Sequence, residues 1–398
     1  MRRNPWSSIL QRLSALALGI VLAGAATELA VRALRPTPDS YDVHPRNFSR
    51  VLRPARDIMP GVAGDSLYKT NSLGLRGDEL SPTHQPRIIA LGGSTVECLY
   101  LDQTEAWPQL VQDSLDAVSP QHSTWVGNAG KSGLTSRHHR VQLDRLPLEE
   151  WGIDTALLLV GGNDLLKRLA RDLRYDPRFN EEQDWERQLL REAFYSFPDK
   201  NRGQFLRFPA TLGLLREVRS QFRTDIVQDD AGLIYAKWRR HRQQATTIRA
   251  QLPDLRSALE EYSGNLDQII MIAREKGIQL VLITQPAIWQ EDLSEYARSL
   301  LWVGGVGRYQ ERPSQPYYSV TALGAGLALY NSTLIETCER WKVRCIDLAA
   351  LLPRDAPLFY DDVHVNERGA QVIAEIVSRH LINWRLLQFK ISPGFAEH

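Results

Sequence analysis

The sequence of 398 residues has only three cysteines and almost no excess charge of either sign. Cys98, Cys338 and Cys345 lack the Cys-x-x-Cys spacing of zinc or redox sites, so we expect no metal. With 48 basic and 47 acidic residues, the chain has no charge excess that would favour a nucleic-acid partner. No strand leads into Gly-x-Gly-x-x-Gly or a complete phosphate-binding loop, and we expect no cofactor. Cys338 and Cys345 could pair in an oxidising compartment or stay half-buried thiols, and the sequence leaves this open.

The N-terminal region carries a long apolar run. Leu13 to Leu34 spans 22 residues, enough to cross a bilayer, and arginines precede it. We predict that residues 1–35 form an uncleaved signal anchor with a transmembrane helix, which places the catalytic domain outside the cytoplasm, on the periplasmic or cell-surface side. The alternatives are a signal peptide cleaved near Ala23-Gly24-Ala25 and an amphipathic helix packed on the soluble domain.

The rest of the chain has the pattern of one α/β domain with additions. We predict a linker and N-terminal wrap over 36–86, the domain over 87–385 and a tail over 386–398. Short apolar runs alternate with helical patterns, which is typical of a mainly parallel sheet between two helical layers, a flavodoxin-like α/β/α fold. The predicted strands lie near residues 88–91, 124–126, 155–160, 279–284 and 343–346.

Two insertions interrupt this pattern, a helical one at about 165–250 and an irregular one at 287–319. Lys237 to Arg242 is a basic patch, which we interpret as a solvated helix face rather than a contact for lipid headgroups or polysaccharide. The second insertion is rich in aromatic residues. Trp289 and Trp302, together with Gln285 after the fourth strand, are possible substrate contacts, but the aromatic rings could equally pack the loop onto the domain.

Polar, glycine-rich loops follow three of the predicted strands. They contain Ser94, Gly133 and Asn163. The carboxyl ends of parallel strands meet at one edge of the sheet, where ligands bind, so these residues should converge there. Ser94 is then placed as a nucleophile, and the N–H groups of Ser94 and Gly133, with the Asn163 amide, could stabilise an oxyanion.

A base and its partner come near the end of the domain. Asp361 and His364 are three residues apart before the last predicted helix, so one turn can present both to the same edge. A serine becomes nucleophilic when a base removes its proton, and the base needs a partner that fixes its tautomer. Asp362 is the fallback for the acid if the geometry disagrees.

These four blocks resemble, in order, those of the SGNH (GDSL-type) hydrolase family, and the segment Asn71–Gly77 resembles the one before the first block in membrane-anchored bacterial members. The resemblance implies the SGNH hydrolase fold, with Ser94 as nucleophile, His364 as base and Asp361 as orienting acid. It also implies an oxyanion hole of Ser94, Gly133 and Asn163. The sequence departs from the family pattern at Gly93, usually aspartate, at Thr95, usually leucine, and at Cys98, where glycine is common.

The function expected from this pattern is that of a serine esterase acting on a short-acyl ester, such as an O-acetyl group on surface carbohydrate. Three alternatives stay open: an O-acyltransferase using the same triad, a lipase or lysophospholipase, and a non-catalytic anchored component of polysaccharide assembly. The expected partners are an ester of carbohydrate or lipid and, through the N-terminal helix, the membrane.

Overall fold

The computed structural model describes residues 5–34, 40–118, 123–177, 185–198 and 230–384. The chain divides into two compact units. One includes the N-terminal helix, and the other comprises Tyr41–Ser196 and the chain from Asp230 onward. Residues 36–39 of the predicted linker, residues 178–184 and 199–229 of the first insertion and the whole of the predicted tail lie outside the described residues.

The N-terminal helix α1 spans Pro5–Leu34, so the predicted helical character is present. The prediction that it crosses a membrane is not supported, because no helix within the described parts of the chain is both long enough and apolar enough to do so. Thr27 and Glu28 place a polar and a charged side chain in its last two turns.

A five-stranded parallel sheet forms the centre of the second unit, as predicted. Its strands are β3 (Arg87–Gly92), β4 (Trp125–Asn128), β5 (Thr155–Leu159), β7 (Gln279–Ile283) and β9 (Arg344–Ile346). Their spatial order is β4-β3-β5-β7-β9, the 2-1-3-4-5 order of flavodoxin-like folds. The strands are apolar apart from their end residues, because helices cover both faces of such a sheet.

The helices connect these strands and form the outer layers. Because crossovers between parallel strands are right-handed, the change of direction after β4 places helices on opposite faces of the sheet. The described helices of this unit are α2 (Ser94–Glu97), α3 (Trp107–Val118), α4 (Ser136–Arg145), α5 (Gly162–Arg171), α6 (Trp185–Ala193), α7 (Leu233–Gln243), α8 (Arg256–Glu275), α9 (Glu295–Ser299), α10 (Val320–Trp341), α11 (Leu348–Leu351) and α12 (Glu367–Asn383). On one face α3 packs against the C-terminal helix α12, and on the other α4, α8 and α10 pack side by side.

The segment before the sheet forms a hairpin of β1 (Ser49–Leu52) and β2 (Ser66–Lys69), followed by a turn that joins the domain. At that turn the Arg76 backbone pairs with Asn128 of β4. The buried Arg76 guanidinium donates to the carbonyls of Glu97, Cys98 and Leu101. This segment therefore supports the loop behind Ser94.

The insertions are held to the domain by buried side chains. Arg239 is 8% exposed and donates to the carbonyls of Ile58 and Tyr360, so the interpretation of 237–242 as a solvated face is wrong for half of the patch. The two-residue strands β6 (Ile248–Arg249) and β8 (Tyr317–Tyr318) pair with each other and link the two insertions. Of the six aromatic residues in the second insertion, Tyr296 is exposed. The other five are buried, so they pack the loop onto the domain: Trp289, Trp302, Tyr309, Tyr317 and Tyr318.

The cysteine question left open by the sequence has a definite answer in the structure. Cys338, near the end of α10, and Cys345, in β9, form a disulfide with their Cα atoms 6.2 Å apart. Cys98 is free and buried.

Candidate active site

Ser94 lies at the start of α2, directly after β3 and a pair of glycines. Close packing to the backbone requires the first glycine, because a Cβ on Gly92 would lie 2.8 Å from the Leu159 carbonyl oxygen. A Cβ on Gly93 would lie 2.5 Å from the Asn163 amide nitrogen, so the glycine at position 93 leaves room for that amide in its observed position.

Ser94, His364 and Asp361 form a continuous chain of hydrogen bonds. His364 Nε2 lies 2.6 Å from Ser94 Oγ, and His364 Nδ1 lies 2.6 Å from Asp361 Oδ2. The other carboxylate oxygen, Asp361 Oδ1, accepts the backbone N–H groups of Val363 and His364 at 2.8 and 2.7 Å. The structure thus brings together the three predicted catalytic residues, with the imidazole between the acid and the hydroxyl.

The electrostatics of this pair favour an ionised acid beside a strengthened base. Burial alone would raise the pKa of Asp361, but the charge of His364 and three hydrogen bonds outweigh it and lower that pKa. Burial alone would lower the pKa of His364, but the facing Asp361 carboxylate outweighs it and raises that pKa. Asp361 therefore stays ionised and strengthens the imidazole as a proton acceptor.

Asp362, the fallback for the acid, faces a different environment. Its Oδ2 accepts the Trp289 indole N–H at 3.2 Å and the Val303 backbone N–H at 3.3 Å. Burial, followed by repulsion from Asp361, raises the pKa of Asp362 to about 6. Asp362 forms no hydrogen bond with His364. Asp361 rather than Asp362 is therefore the partner of the imidazole.

Ser94 and the two other predicted oxyanion donors belong to the segments that follow β3, β4 and β5. Asn163, at the start of α5, places its amide next to Gly93 and donates to the Leu134 carbonyl at 2.8 Å. Gly133 has φ +77°, a left-handed conformation that glycine adopts without strain. Ser94 is the first residue of its helix, where backbone N–H groups have no intrahelical acceptor.

Glu97 is a supporting residue that the sequence analysis missed. It lies one turn after Ser94, is 8% exposed, and its carboxylate accepts both the N–H and the hydroxyl of Ser132. Because Ser132 precedes Gly133, this carboxylate fixes the loop that carries the predicted donor. Its spacing of three residues from the serine was the signal that could have identified it.

The three predicted substrate contacts are turned toward the protein. The indole N–H of Trp302 donates to Asp361 and that of Trp289 to Asp362. Gln285 is 6% exposed, and its side-chain carbonyl accepts from the Thr95 hydroxyl at 3.3 Å. Gln285 thus borders the nucleophile turn, while both tryptophans support the acidic pair.

Cys98, the departure from the family pattern, ends α2 with φ +51°. Glycine adopts this left-handed conformation most readily, which explains the glycine common at this position. Burial raises the pKa of the Cys98 thiol to about 11, so it stays protonated and unreactive.

A cavity of about 240 Å³ lies beside the two segments that carry Gly133 and Asn163, called here the oxyanion loops. Thr135 and Asp164, the residues next to Leu134 and Asn163, form part of its wall. Arg137, Lys167 and Glu261 make the rest of the wall strongly charged, and Tyr175, Trp185 and Tyr330 add aromatic rings. Within the described residues, no group of three or more His, Cys, Asp or Glu is arranged to hold a metal ion.

A parallel α/β sheet with a serine, a histidine and an aspartate joined at its carboxyl edge is the arrangement of a hydrolase that uses a serine nucleophile. The model of the GDSL-like lipase/acylhydrolase family matches residues 90–372, and the chain belongs to that family. It is therefore an enzyme that hydrolyses ester bonds.

Similar solved structures include an acetylxylan esterase from Geobacillus stearothermophilus, with a TM-score of 0.40 and 14% identity over 77% of this chain and 96% of that one. Another is an α/β hydrolase from the metagenome of Lake Arreo, Spain, with a TM-score of 0.40 and 15% identity over 77% and 98%. No curated protein has a significant match to the sequence.

Proposed function

We propose that the protein is a serine esterase that cleaves a short-acyl carboxylic ester, such as an O-acetyl group, through an acyl-enzyme. The observation that carries this proposal is the chain of 2.6 Å hydrogen bonds from Ser94 through His364 to Asp361. In the first step Ser94 Oγ bonds to the acyl carbon while its proton moves to His364 Nε2. The resulting oxyanion would accept hydrogen bonds from the N–H groups of Ser94 and Gly133 and from the Asn163 amide.

The remaining steps return the enzyme to its starting state. Collapse of the tetrahedral intermediate breaks the bond to the alcohol oxygen, which takes the proton from His364 Nε2 and leaves. Water then gives a proton to the same nitrogen as it attacks the acyl-serine, and a second collapse releases the carboxylic acid and restores the Ser94 hydroxyl. The ionised Asp361 stabilises the imidazolium during both steps.

A hydrophilic alcohol is the second part of the proposal, with surface carbohydrate as the substrate class. The charged cavity, which is lined by Thr135 and Asp164 but by none of the three triad residues, supports a polar group over a lipid chain. The buried tryptophans and tyrosines of the second insertion do not form an apolar platform for a long acyl chain. They do not offer exposed rings for a sugar either, so the carbohydrate class rests on the polar cavity.

We also infer that the enzyme works outside the cytoplasm. The Cys338–Cys345 disulfide supports this location, because disulfides form and persist in oxidising compartments and are rare in the cytosol. Membership of the membrane-anchored bacterial subgroup stays a prediction.

The test is hydrolysis of aryl esters of increasing acyl length by the full chain, compared with Ser94→Ala. We expect turnover of the acetyl ester to be lost in the variant and to fall with chain length in the unmodified enzyme. Activity that rises with chain length would favour a lipase. Acyl transfer to an added sugar in preference to water would favour the O-acyltransferase. If the unmodified chain and Ser94→Ala are equally inert, the esterase proposal is contradicted.

A further inference from the structure

A segment of the second insertion, Leu300–Val303, lies against the two adjacent carboxylates. The Trp302 indole N–H donates to Asp361 Oδ2 at 2.9 Å, and the next backbone N–H, that of Val303, donates to Asp362 Oδ2. Asp361 Oδ2 is also the oxygen that bonds His364 Nδ1. The insertion therefore reaches the candidate triad directly, through the oxygen that faces the base.

Two arginines of α7 hold this segment in place. Arg239 donates to the carbonyls of Leu300 and Tyr360 at 3.3 and 2.7 Å, which ties the segment to the loop that carries Asp361. Arg242 donates to the carbonyls of Val303 and Tyr318. Hydrogen bonds from guanidinium groups are among the stronger ones in proteins, so both ends of the segment are fixed.

Aromatic rings restrict the same region further. The Trp302 ring stacks on Trp238 with ring centroids 4.4 Å apart. It is nearly parallel to the His364 imidazole, with centroids 6.5 Å apart, and Tyr360 is also parallel to that imidazole at 5.5 Å. Tyr235 approaches His364 edge-on at 6.1 Å. The imidazole is thus oriented by rings as well as by its hydrogen bonds.

We propose that Trp302 is a positioning residue of the triad, which fixes the Asp361 oxygen that binds His364 and limits how strongly that oxygen raises the basicity of the imidazole. In the described part of the chain, Trp302 and His364 are the side chains that donate to Asp361 Oδ2. Without the indole N–H, Asp361 Oδ2 loses one of the donors that share its negative charge. More of that charge then acts on His364 and stabilises the protonated imidazole. The kinetic consequence rests on the proposed esterase function.

Several other groups face this pair and bear on its titration. Asp362 and Glu97 add negative charge near His364. Arg242 counters the charge of Asp362. Burial raises the pKa of both Tyr235 and Tyr360, so their hydroxyls stay neutral and contribute no charge near the imidazole.

The test compares Trp302→Phe with Trp289→Phe in the full chain. Both changes keep an aromatic ring and remove one indole N–H. The N–H of Trp302 donates to Asp361, whereas that of Trp289 donates to Asp362. In Trp302→Phe we expect the acid limb of kcat/KM to move upward by about one pH unit, because hydrogen bonds to charged groups are strong. In Trp289→Phe the Asp362 carboxylate holds its proton more tightly, so the limb should stay or move downward.

A second measurement separates this proposal from the esterase function. The titration of the His364 imidazole can be followed by NMR with Ser94→Ala as background, where no turnover is needed. We expect the same upward shift on adding Trp302→Phe. If Trp302→Phe does not fold, the Trp302 indole N–H resonance of the unmodified chain should move with the titration of His364. An unchanged midpoint, an equal upward shift in Trp289→Phe, or an indole resonance insensitive to that titration would overturn the proposal.

Discussion

The loops at the carboxyl edge of the sheet and the Leu300–Val303 segment contribute to the same site in different ways. The loops carry Ser94, Gly133 and Asn163, each within a few residues of the end of a strand, so the sheet itself places them. The segment supplies no reacting atom. Its N–H groups hold the two carboxylates, its Trp302 ring lies parallel to the imidazole, and buried arginines hold the segment. Reacting groups are thus placed by the fold and oriented by an insertion.

The neighbouring residues Asp361 and Asp362 differ in which of these two regions supplies their hydrogen bonds. Asp361 accepts hydrogen bonds from the loop, from the insertion and from His364, and its pKa is lowered. Asp362 is bound by Trp289 and Val303 of the insertion, and its pKa is raised to about 6. Only the carboxylate that both regions share is the partner of the base.

The largest expected effect comes from exchanging these two acids separately. Asp361→Asn should lower kcat on the order of 10⁴-fold, because an amide cannot stabilise the imidazolium and favours the wrong tautomer. Asp362→Asn removes a carboxylate without a bond to His364, and we expect a loss well under that, about tenfold or less. Ester turnover by both variants provides the measurement. Equal losses would remove the distinction between the two acids.

A smaller effect is expected for a donor on the sheet edge. Asn163→Ala removes the side-chain amide beside Gly93, and we expect kcat to fall about 10²- to 10³-fold, the usual cost of one oxyanion donor. KM should change little if the donor acts on the transition state alone. Steady-state kinetics on the acetyl aryl ester distinguish the two parameters. A rise in KM with kcat intact would place Asn163 in substrate binding instead.

The smallest expected effect is a pH dependence set by His364. The imidazole accepts the Ser94 proton only in its neutral form, and its pKa is raised by Asp361. We therefore expect kcat/KM to fall about tenfold per pH unit below an acid limb whose midpoint lies above the ordinary histidine value. A profile of kcat/KM against pH provides the check. A midpoint below that value would mean that burial, rather than Asp361, determines the direction in which the pKa of the imidazole is shifted.

Much of the fold was predictable because its signals are local. Five apolar runs matched the five parallel strands within a few residues, and three of them, those of β3, β4 and β5, are followed by the glycine-rich loops that carry the predicted site residues. Asp361 and His364 were found through their spacing of three residues. The membrane-spanning helix was predicted from an apolar run that also contains Glu28 and Arg32, and the structure does not support it.

The supporting residues were not predictable, because their partners are distant in sequence. Arg239 and Arg242 have the composition of a solvated basic patch, yet they bond carbonyls 61 to 181 residues away. Trp302 lies 59 residues from the aspartate it binds. Amphipathic periodicity does not encode such contacts, and an aromatic residue in a loop gives the same pattern whether it stacks on a ligand or supports a carboxylate.

Covalent trapping of the nucleophile is the most direct test of the proposal that His364 activates Ser94. The full chain would be treated with an alkyl aryl phosphonate ester, and the adduct located by peptide mass spectrometry in the unmodified protein, Ser94→Ala and His364→Ala. We expect one adduct, on Ser94, with labelling absent in Ser94→Ala and much slower in His364→Ala. An adduct on another residue, or labelling that does not depend on His364, would contradict it.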